Sequence, residues 1–373
     1  MKIAMFGQKR IPSREGGVEI VVEELSTRMA AAGHEVTCYN RRGHHVSGSQ
    51  YDSESKKSEY KGVRIKSVPT LEKKGLAAVS SSFFAALCSA FGRYDVVHIH
   101  AEGPAAFCFI PKIFRKKVVV TVHGLDWQRE KWKSGFGSKY IHFGEKMAVK
   151  HADEIIVLSR EVQKYFKDTY GRETVFIPNG VNRPEIKDAD IIDKKFALSK
   201  DSYILYLGRI VPEKGEHYLI EAFKDIDTDK KLVIAGGSSD TDEYMEKLKK
   251  MAGSDERIIF TGFVQGQMLE ELYSNAYVYV LPSDLEGMPL SLLEAMSYGN
   301  CCLVSDIKEC TEVVEDKAEV FLKSDVEDLR YKLQKLCDRM DLVQKYKSGA
   351  CSYVCDKYDW NRIVRKTLDV YRR

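Results

Sequence analysis

The chain has 373 residues, 44% of them hydrophobic and 30% charged, with a formal net charge of +3. That is the make-up of an ordinary soluble protein, too long for one small core, so two domains are expected. Nine cysteines show no Cys-x-x-Cys pair and no Cys/His cluster at zinc spacing, which argues against a disulfide framework and fits reduced thiols in a cytoplasm.

In chain order, Ile3 to Phe6 is a short apolar run that predicts a strand. A loop from Gln8 to Gly17 follows, then a helical pattern through Val18, Val21, Val22, Leu25 and Met29, and a strand from His34 to Tyr39. This opening is the doubly wound pattern, but not the dinucleotide fingerprint. No Gly-x-x-Gly follows Gly7, and Asn40, Arg41 and Arg42 stand where an acidic residue would close the second strand. Residues 41–61 read as a polar loop. Strands are expected over Val63–Val68, Asp95–His100, Val118–His123, Glu154–Leu158 and Val175–Pro178, with an amphipathic helix over Leu76–Phe91.

Residues 182–200 are charged and weakly periodic, as a linker would be. The alternation then restarts. Strands are predicted at Tyr203–Leu207, Lys231–Ala235, Ile258–Phe260 and Tyr277–Leu281, and helices at Gly215–Asp225, Asp242–Ala252 and Met268–Asn275. After Asp325 the text is helical and ends in a basic amphipathic helix carrying Trp360, Ile363, Val364, Leu368 and Tyr371. Two β/α arrays predict two doubly wound domains facing a cleft. The expected divisions are 1–183, 184–355 and a final helix, 356–373, that crosses back to the first domain.

Charge follows the same division. Residues 1–183 carry 30 Lys/Arg against 19 Asp/Glu, and the remainder 28 against 36. The basic half is expected to meet an anionic ligand or an anionic membrane surface. Neither a signal peptide nor a membrane span is expected; the run from Gly75 to Phe91 is short and broken by serines.

The second half carries the densest chemistry. Gly208 to Gly215 follows a strand and opens a helix, with Arg209 and Lys214 flanking a tight loop. Two cations there suit a diphosphate, Arg through forked hydrogen bonds and Lys as a point charge. Leu281 to Asp306 reads strand end, loop, helix, strand. Within it Glu286 precedes the helix and Glu294 lies inside it. At that spacing the pair would sit roughly 80° apart and on the order of 12 Å along a helix, too far to act as a carboxylate dyad but placed to grip two parts of one long ligand. The free amides between them can meet an anion, except at Pro289, which has none and whose fixed φ suits a first helical turn. No Asp-x-Asp stands in a strand-end setting, so a metal-independent site is expected, with cations and helix-start amides holding the diphosphate.

In the first half, Gly16-Gly17 at a helix start lets backbone approach a ligand. His123 ends a strand, where an open α/β sheet places side chains in its crevice. His98 and His100 share one strand face. Asp126, Arg129 and Trp132 mix charge and aromatic surface and are candidates for ligand recognition.

The EGMPLSLLEAM wording with its Glu-x7-Glu spacing, together with Gly-Arg…Glu-Lys-Gly, Gly16-Gly17, Thr121–Gly124 and Asn179-Gly180-Val181, resembles the family-4 (group 1) retaining glycosyltransferases over essentially the whole chain. The resemblance implies a GT-B fold and transfer of a hexose, with retention, from a nucleotide-diphosphate sugar. A UDP-sugar is the donor expected, although no residue names the base. It implies that Arg209 and Lys214 bind the donor pyrophosphate and that Glu294 binds the ribose. Glu286 with the amides of Gly287, Met288 and Leu290 would face sugar and phosphate around Pro289. Val264 would lie near the base, and His123 near the sugar, with Gly16 and Gly17 completing the donor set. His100, Asp126, Arg129 and Trp132 remain for the acceptor. No cofactor, metal or nucleic acid is implied. The acceptor implied is a glycan or polyprenyl-linked glycan in cell-surface polysaccharide assembly, met in the cytoplasm or at the inner face of the membrane. A nucleotide-sugar epimerase of the same fold and a non-catalytic nucleotide-sugar-binding protein stay open at this point. An oxidoreductase is disfavoured by the missing fingerprint, and a phosphorylase by the missing length.

Overall fold

The computed structural model describes residues 1–43, 58–73, 75–128, 136–237 and 242–373. They divide into two compact units, Met1–Asn179 with Trp360–Arg373, and Gly180–Asp359.

The first unit runs β1 (Lys2–Phe6), α1 (Gly17–Ala31), β2 (Glu35–Arg41), β3 (Glu59–Tyr60), β4 (Val63–Val68), α2 (Leu76–Phe91), β5 (Val96–His100), α3 (Glu102–Ala105), α4 (Phe109–Ile113), β6 (Lys117–Val122), α5 (Phe136–His151), β7 (Glu154–Val157), α6 (Arg160–Tyr170) and β8 (Val175–Phe176). Its described strands form one sheet in the order β3-β4-β2-β1-β5-β6-β7-β8. All neighbours are parallel except β3, which turns back on β4. The runs VVHIH and KVVVTV are buried almost end to end, as strands covered on both faces must be. Chain order reverses at β1, which lies between β2 and β5.

The second unit runs α7 (Ile191–Phe196), β9 (Tyr203–Leu207), α8 (Glu216–Lys224), β10 (Lys231–Ala235), α9 (Asp242–Ala252), β11 (Ile258–Gly262), α10 (Gln267–Asn275), β12 (Val278–Leu281), α11 (Leu290–Ser297), β13 (Cys301–Ser305), α12 (Lys308–Val314), β14 (Glu319–Phe321), α13 (Val326–Asp338), α14 (Met340–Lys347) and α15 (Ala350–Lys357). The sheet order is β11-β10-β9-β12-β13-β14, parallel throughout. Here the reversal falls between β9 and β12, the position at which open α/β sheets leave a crevice beyond their carboxyl ends.

The last helix, α16 (Trp360–Arg372), belongs to the first unit. It buries Trp360, Ile363, Val364, Leu368, Val370 and Tyr371. The Tyr371 hydroxyl meets His98 Nδ1 at 2.6 Å. The linker text contains a short helix, α7, because Asp190 and Ile192 donate their amides to the buried Glu271 carboxylate. β14 is a strand that periodicity does not announce. It is three residues long and carries a buried charge, Glu319, which Lys332, Lys335 and Tyr346 surround at 3.1, 3.0 and 2.9 Å.

Candidate functional site

At the carboxyl ends of β9 and β12, two loops are pressed together by backbone. Gly215 has φ +74°, and a Cβ on it would stand 2.1 Å from the Pro282 carbonyl oxygen. No other residue fits that approach. Asp284 donates its amide to the Glu213 carbonyl at 2.9 Å, and Tyr218 donates its hydroxyl to Asp284 at 3.1 Å. Gly208–Gly215 and Leu281–Pro289 are therefore one structural unit, although some seventy residues of chain separate them.

Three buried tyrosines brace this junction from below. A buried phenol must place its hydroxyl on a partner. The Tyr206 hydroxyl lies 3.0 Å from the Arg209 carbonyl oxygen and 2.7 Å from Glu216 Oε1. Tyr279 reaches the Leu207 carbonyl at 3.2 Å and Ser291 Oγ at 2.8 Å, tying the end of β9 to the first turn of α11. Tyr273 meets Glu294 Oε2 at 3.3 Å and stacks on Tyr298. Beneath them burial pushes the Glu216 carboxyl up to about 8, against the lowering effect of its bonds from Tyr206 and Tyr244.

Lys214 Nζ donates to Glu286 Oε1 at 2.5 Å, and Ser283 Oγ donates to the same oxygen at 2.7 Å. The side chains are 15% and 6% exposed, so the pair is neither a free surface contact nor a fully desolvated one. One of the two expected cations is thus held by one of the two expected glutamates. Arg209 is half-buried in the same loop. Pro289 serves as the N-cap of α11 with ψ 102°, and the helix begins at Leu290 with no side-chain cap. Its first amides are available to an anion. Gly287, Met288 and Leu290 line the approach to that helix start, the latter two buried. Val264 is buried two residues past β11, beside the loops that follow β9 and β10, where Ile210 donates to the Gly237 carbonyl. Arg209, Lys214, Glu286 and Glu294 are all set by the β9 and β12 ends.

Two sequence models match the chain in tandem: "Glycosyltransferase Family 4" over residues 15–183 and "Glycosyl transferases group 1" over residues 188–366. The chain belongs to the family-4, group 1 glycosyltransferases. A glycosyltransferase of Methanocaldococcus jannaschii is 27% identical over 100% of this chain and 98% of its own length. The UDP-Gal:alpha-D-GlcNAc-diphosphoundecaprenol alpha-1,3-galactosyltransferase of Escherichia coli is 29% identical over 75% of each chain. Sucrose-phosphate synthase from Thermosynechococcus elongatus superposes with a TM-score of 0.83 at 21% identity, covering 100% of this chain and 98% of its own. The two sheets of this glycosyltransferase are those of the GT-B fold.

In the first unit of the transferase the order reversal lies beside β1. Gly7 has φ +121°, and a Cβ there would stand 2.1 Å from the His100 carbonyl oxygen, so the ends of β1 and β5 are in close backbone contact. His100 Nδ1 and His123 Nε2 are 3.0 Å apart, and His98 lies between Tyr371 and Thr121 at 2.6 and 2.7 Å. Burial holds His98 down to about 3, helped by the charge of His123, and holds His100 well below the usual imidazole range. Both are neutral near pH 7, so the His100–His123 bond needs one ring to donate and the other to accept. His98 is a structural link to the last helix, whereas His100 is an immediate neighbour of His123.

At the start of α1 the Glu19 carboxylate stands 2.7 Å from where a Gly16 Cβ would lie and accepts the Lys9 amide at 2.8 Å. The Glu19 carboxylate thus fills the space that a side chain at position 16 would need. Asp126 opens a short 3-10 turn, and its amide is bonded by Glu102 at 2.8 Å. Arg129 and Trp132 lie outside the described residues. The Glu102 carboxyl faces Glu145, which also accepts from Tyr165 and Tyr170. Among the described residues neither Glu102 Oε1 nor Glu145 Oε2 meets an N–H or O–H elsewhere, an arrangement that one proton between the carboxyls satisfies. Burial, then the charge of Asp126 and the neighbouring Glu145, raises Glu102 well above the usual carboxyl range.

Sequence reasoning missed the tyrosine braces, Ser283 and the Glu102–Glu145 pair. A usable signal exists for the first: Tyr206 and Tyr279 interrupt otherwise aliphatic strands next to the two motif loops.

Proposed function

We propose that the chain transfers a hexose from a UDP-sugar to a hydroxyl of a polyprenyl-diphosphate-linked glycan, with retention at the anomeric carbon. The setting is assembly of a cell-surface polysaccharide at the cytoplasmic face of the membrane. The observation that carries the proposal is the junction of Lys214, Glu286 and the uncapped start of α11 at the β9/β12 reversal. The UDP donor and the lipid-linked acceptor are supported by the activity of the Escherichia coli relative.

In this reading Arg209 and Lys214 neutralise the diphosphate, and the amides at the start of α11 hold its oxygens. Glu294, oriented by Tyr273, takes the ribose hydroxyls. Glu286 orients Lys214 and faces the sugar, and His123, held by His100, serves the sugar end. The bond from the anomeric carbon to the phosphate oxygen breaks as the bond to the acceptor oxygen forms on the same face. The acceptor proton passes to the departing phosphate, so no side-chain base is required. Side-chain cations neutralise the negative charge of the leaving group, so transfer is expected to continue in a chelator.

Incubation with a panel of UDP-hexoses and a polyprenyl-diphosphate N-acetylhexosamine tests the proposal. The expected result is UDP release matched by a product heavier by one hexose, with the anomeric configuration of the donor. Release without a heavier product, or an inverted product, would overturn it.

A further inference from the structure

Glu216 follows Gly215 directly and opens α8, yet it is fully buried. An acidic side chain in a first helical turn ordinarily lies in water. This one faces two phenols. Tyr206, from β9, places its hydroxyl 2.7 Å from Glu216 Oε1, and Tyr244, from α9, places its own 3.2 Å from Oε2. Each phenol has a second partner. For Tyr206 it is the Arg209 carbonyl at 3.0 Å, and for Tyr244 it is His217 Nδ1 at 2.8 Å. The loop leaves room for the first of these hydroxyls: a Cβ on Gly208 would stand 2.8 Å from the Tyr206 oxygen.

A phenol carries one proton, which it can give to one of these partners, and an ionised carboxylate can only accept. With Glu216 ionised, the carboxylate takes the Tyr206 proton, and the Arg209 carbonyl faces a lone pair at 3.0 Å. With Glu216 protonated, a single assignment turns all four contacts into hydrogen bonds. His217 Nδ1–H donates to Tyr244, Tyr244 to Glu216 Oε2, Glu216 Oε1–H to Tyr206, and Tyr206 to the Arg209 carbonyl. Bonds aligned in one direction reinforce one another. Burial lowers the His217 imidazole, so a neutral ring is available to open the series.

We propose that Glu216 is a positioning residue for the diphosphate loop: in its acid form it turns the Tyr206 proton onto the Arg209 carbonyl and so holds the loop that carries the Arg209 guanidinium. The proposal rests on the UDP-sugar reading for what that loop binds. Ionisation of Glu216 reverses the Tyr206 bond and releases the carbonyl. The surroundings favour the acid form near neutral pH. Burial pushes the carboxyl up to about 8, against the two phenols, the Glu216 amide and the charge of Lys214, which all favour the anion. Tyr279 and Glu286 face Tyr206 from β12 and the loop after it, and Tyr218 stands beside Tyr244. Lys247, Asp284 and Glu221 act on His217. Because the held loop belongs to the protonated carboxyl, affinity for a diphosphate falls as pH rises through its folded value.

The test is calorimetric titration of the full chain with UDP from about pH 7 to about pH 9, above the ionisation of a terminal phosphate near pH 6. Across this interval the wild-type Kd is expected to rise by about fivefold, the size of one net hydrogen bond. Glu216→Gln carries an uncharged amide that donates to the Tyr206 oxygen at every pH, so it keeps the low-pH wild-type Kd throughout. Tyr206→Phe lacks the latch and binds about fivefold more weakly at every pH. A glutamate that merely braced α8 would leave the pH profile unmoved in both variants. Infrared spectra add a readout that needs no ligand: a buried carboxylic-acid band in the wild type that fades as pH rises and is missing from Glu216→Gln. Melting temperatures show that each variant is folded. A wild-type Kd that does not change with pH, a Glu216→Gln chain that keeps the wild-type pH dependence, or an absent infrared band would overturn the proposal. The band without UDP affinity at any pH would sink the proposed function and leave the proton relay standing; UDP affinity with a flat pH profile would do the reverse.

Discussion

Lys214→Met keeps the length of the side chain and deletes the ammonium that bonds Glu286 Oε1. Two consequences can be separated. In the free protein, Glu286 is left with the Ser283 hydroxyl as its remaining donor of the two described at Oε1. Removing one member of a buried ion pair costs about 3–5 kcal/mol, and the 15% exposure of Lys214 places this case at the low end or below. The second consequence concerns the ligand. A charge-assisted hydrogen bond contributes roughly 1.5–3 kcal/mol, so losing it weakens the Kd for UDP by about tenfold to 150-fold. Glu286→Gln gives the opposite binding result. It preserves an acceptor for Ser283 while releasing Lys214 from its carboxylate, so UDP affinity is unchanged or tighter although transfer falls. Calorimetric titration of UDP measures both variants, and chemical denaturation reports whether each is folded. A folded Lys214→Met protein that binds UDP within about twofold of wild type would refute the reasoning, because no charge-assisted bond of that size could then exist.

Tyr371→Phe removes the hydroxyl from His98 Nδ1 and strands a buried imidazole nitrogen; a loss of about 1–3 kcal/mol is expected in urea denaturation. Tyr273→Phe removes the hydroxyl 3.3 Å from Glu294 Oε2 and is expected to weaken uridine nucleotides a few-fold while leaving inorganic diphosphate competition unchanged. Glu102→Gln addresses the buried carboxyl pair. Because the folded Glu102 carboxyl lies well above the ordinary range, its favourable contribution is full below the unfolded value near pH 4.3 and is lost as pH rises through the folded value. Melting temperatures should therefore show the variant gaining on wild type between pH 5 and pH 8; a constant difference would contradict the shared proton. Excess EDTA is expected to leave initial transfer rates within about twofold, in keeping with side-chain cations at the leaving group.

Much of the scaffold could be read from residues because each buried parallel strand is a continuous aliphatic run and each motif loop begins where such a run stops. Gly208–Gly215 and the loop opening Leu281–Asp306 could each be placed at a strand end by that logic, whereas their meeting at one crevice followed from the family resemblance. β14 escaped because its three residues owe their place to Glu319 and the lysines around it, a long-range ion cluster with no local period. α7 escaped for a similar reason: Glu271, some eighty residues onward, holds its start. The pairing of Lys214 with Glu286 was not legible either. Both were expected to meet ligand, and nothing local indicates that they first meet each other. The tyrosines below them look like ordinary strand aromatics until their hydroxyls are traced to Arg209, Ser291 and Glu294.

The proposed transfer depends on a seat for two linked phosphates at the β9/β12 reversal. Calorimetric titration with uridine, UMP, UDP and NADH tests it most directly. UDP is expected to bind at least about tenfold more tightly than UMP, in line with one further charge-assisted contact, and NADH is expected not to compete. Equal affinities for UMP and UDP in the folded wild-type chain would contradict it.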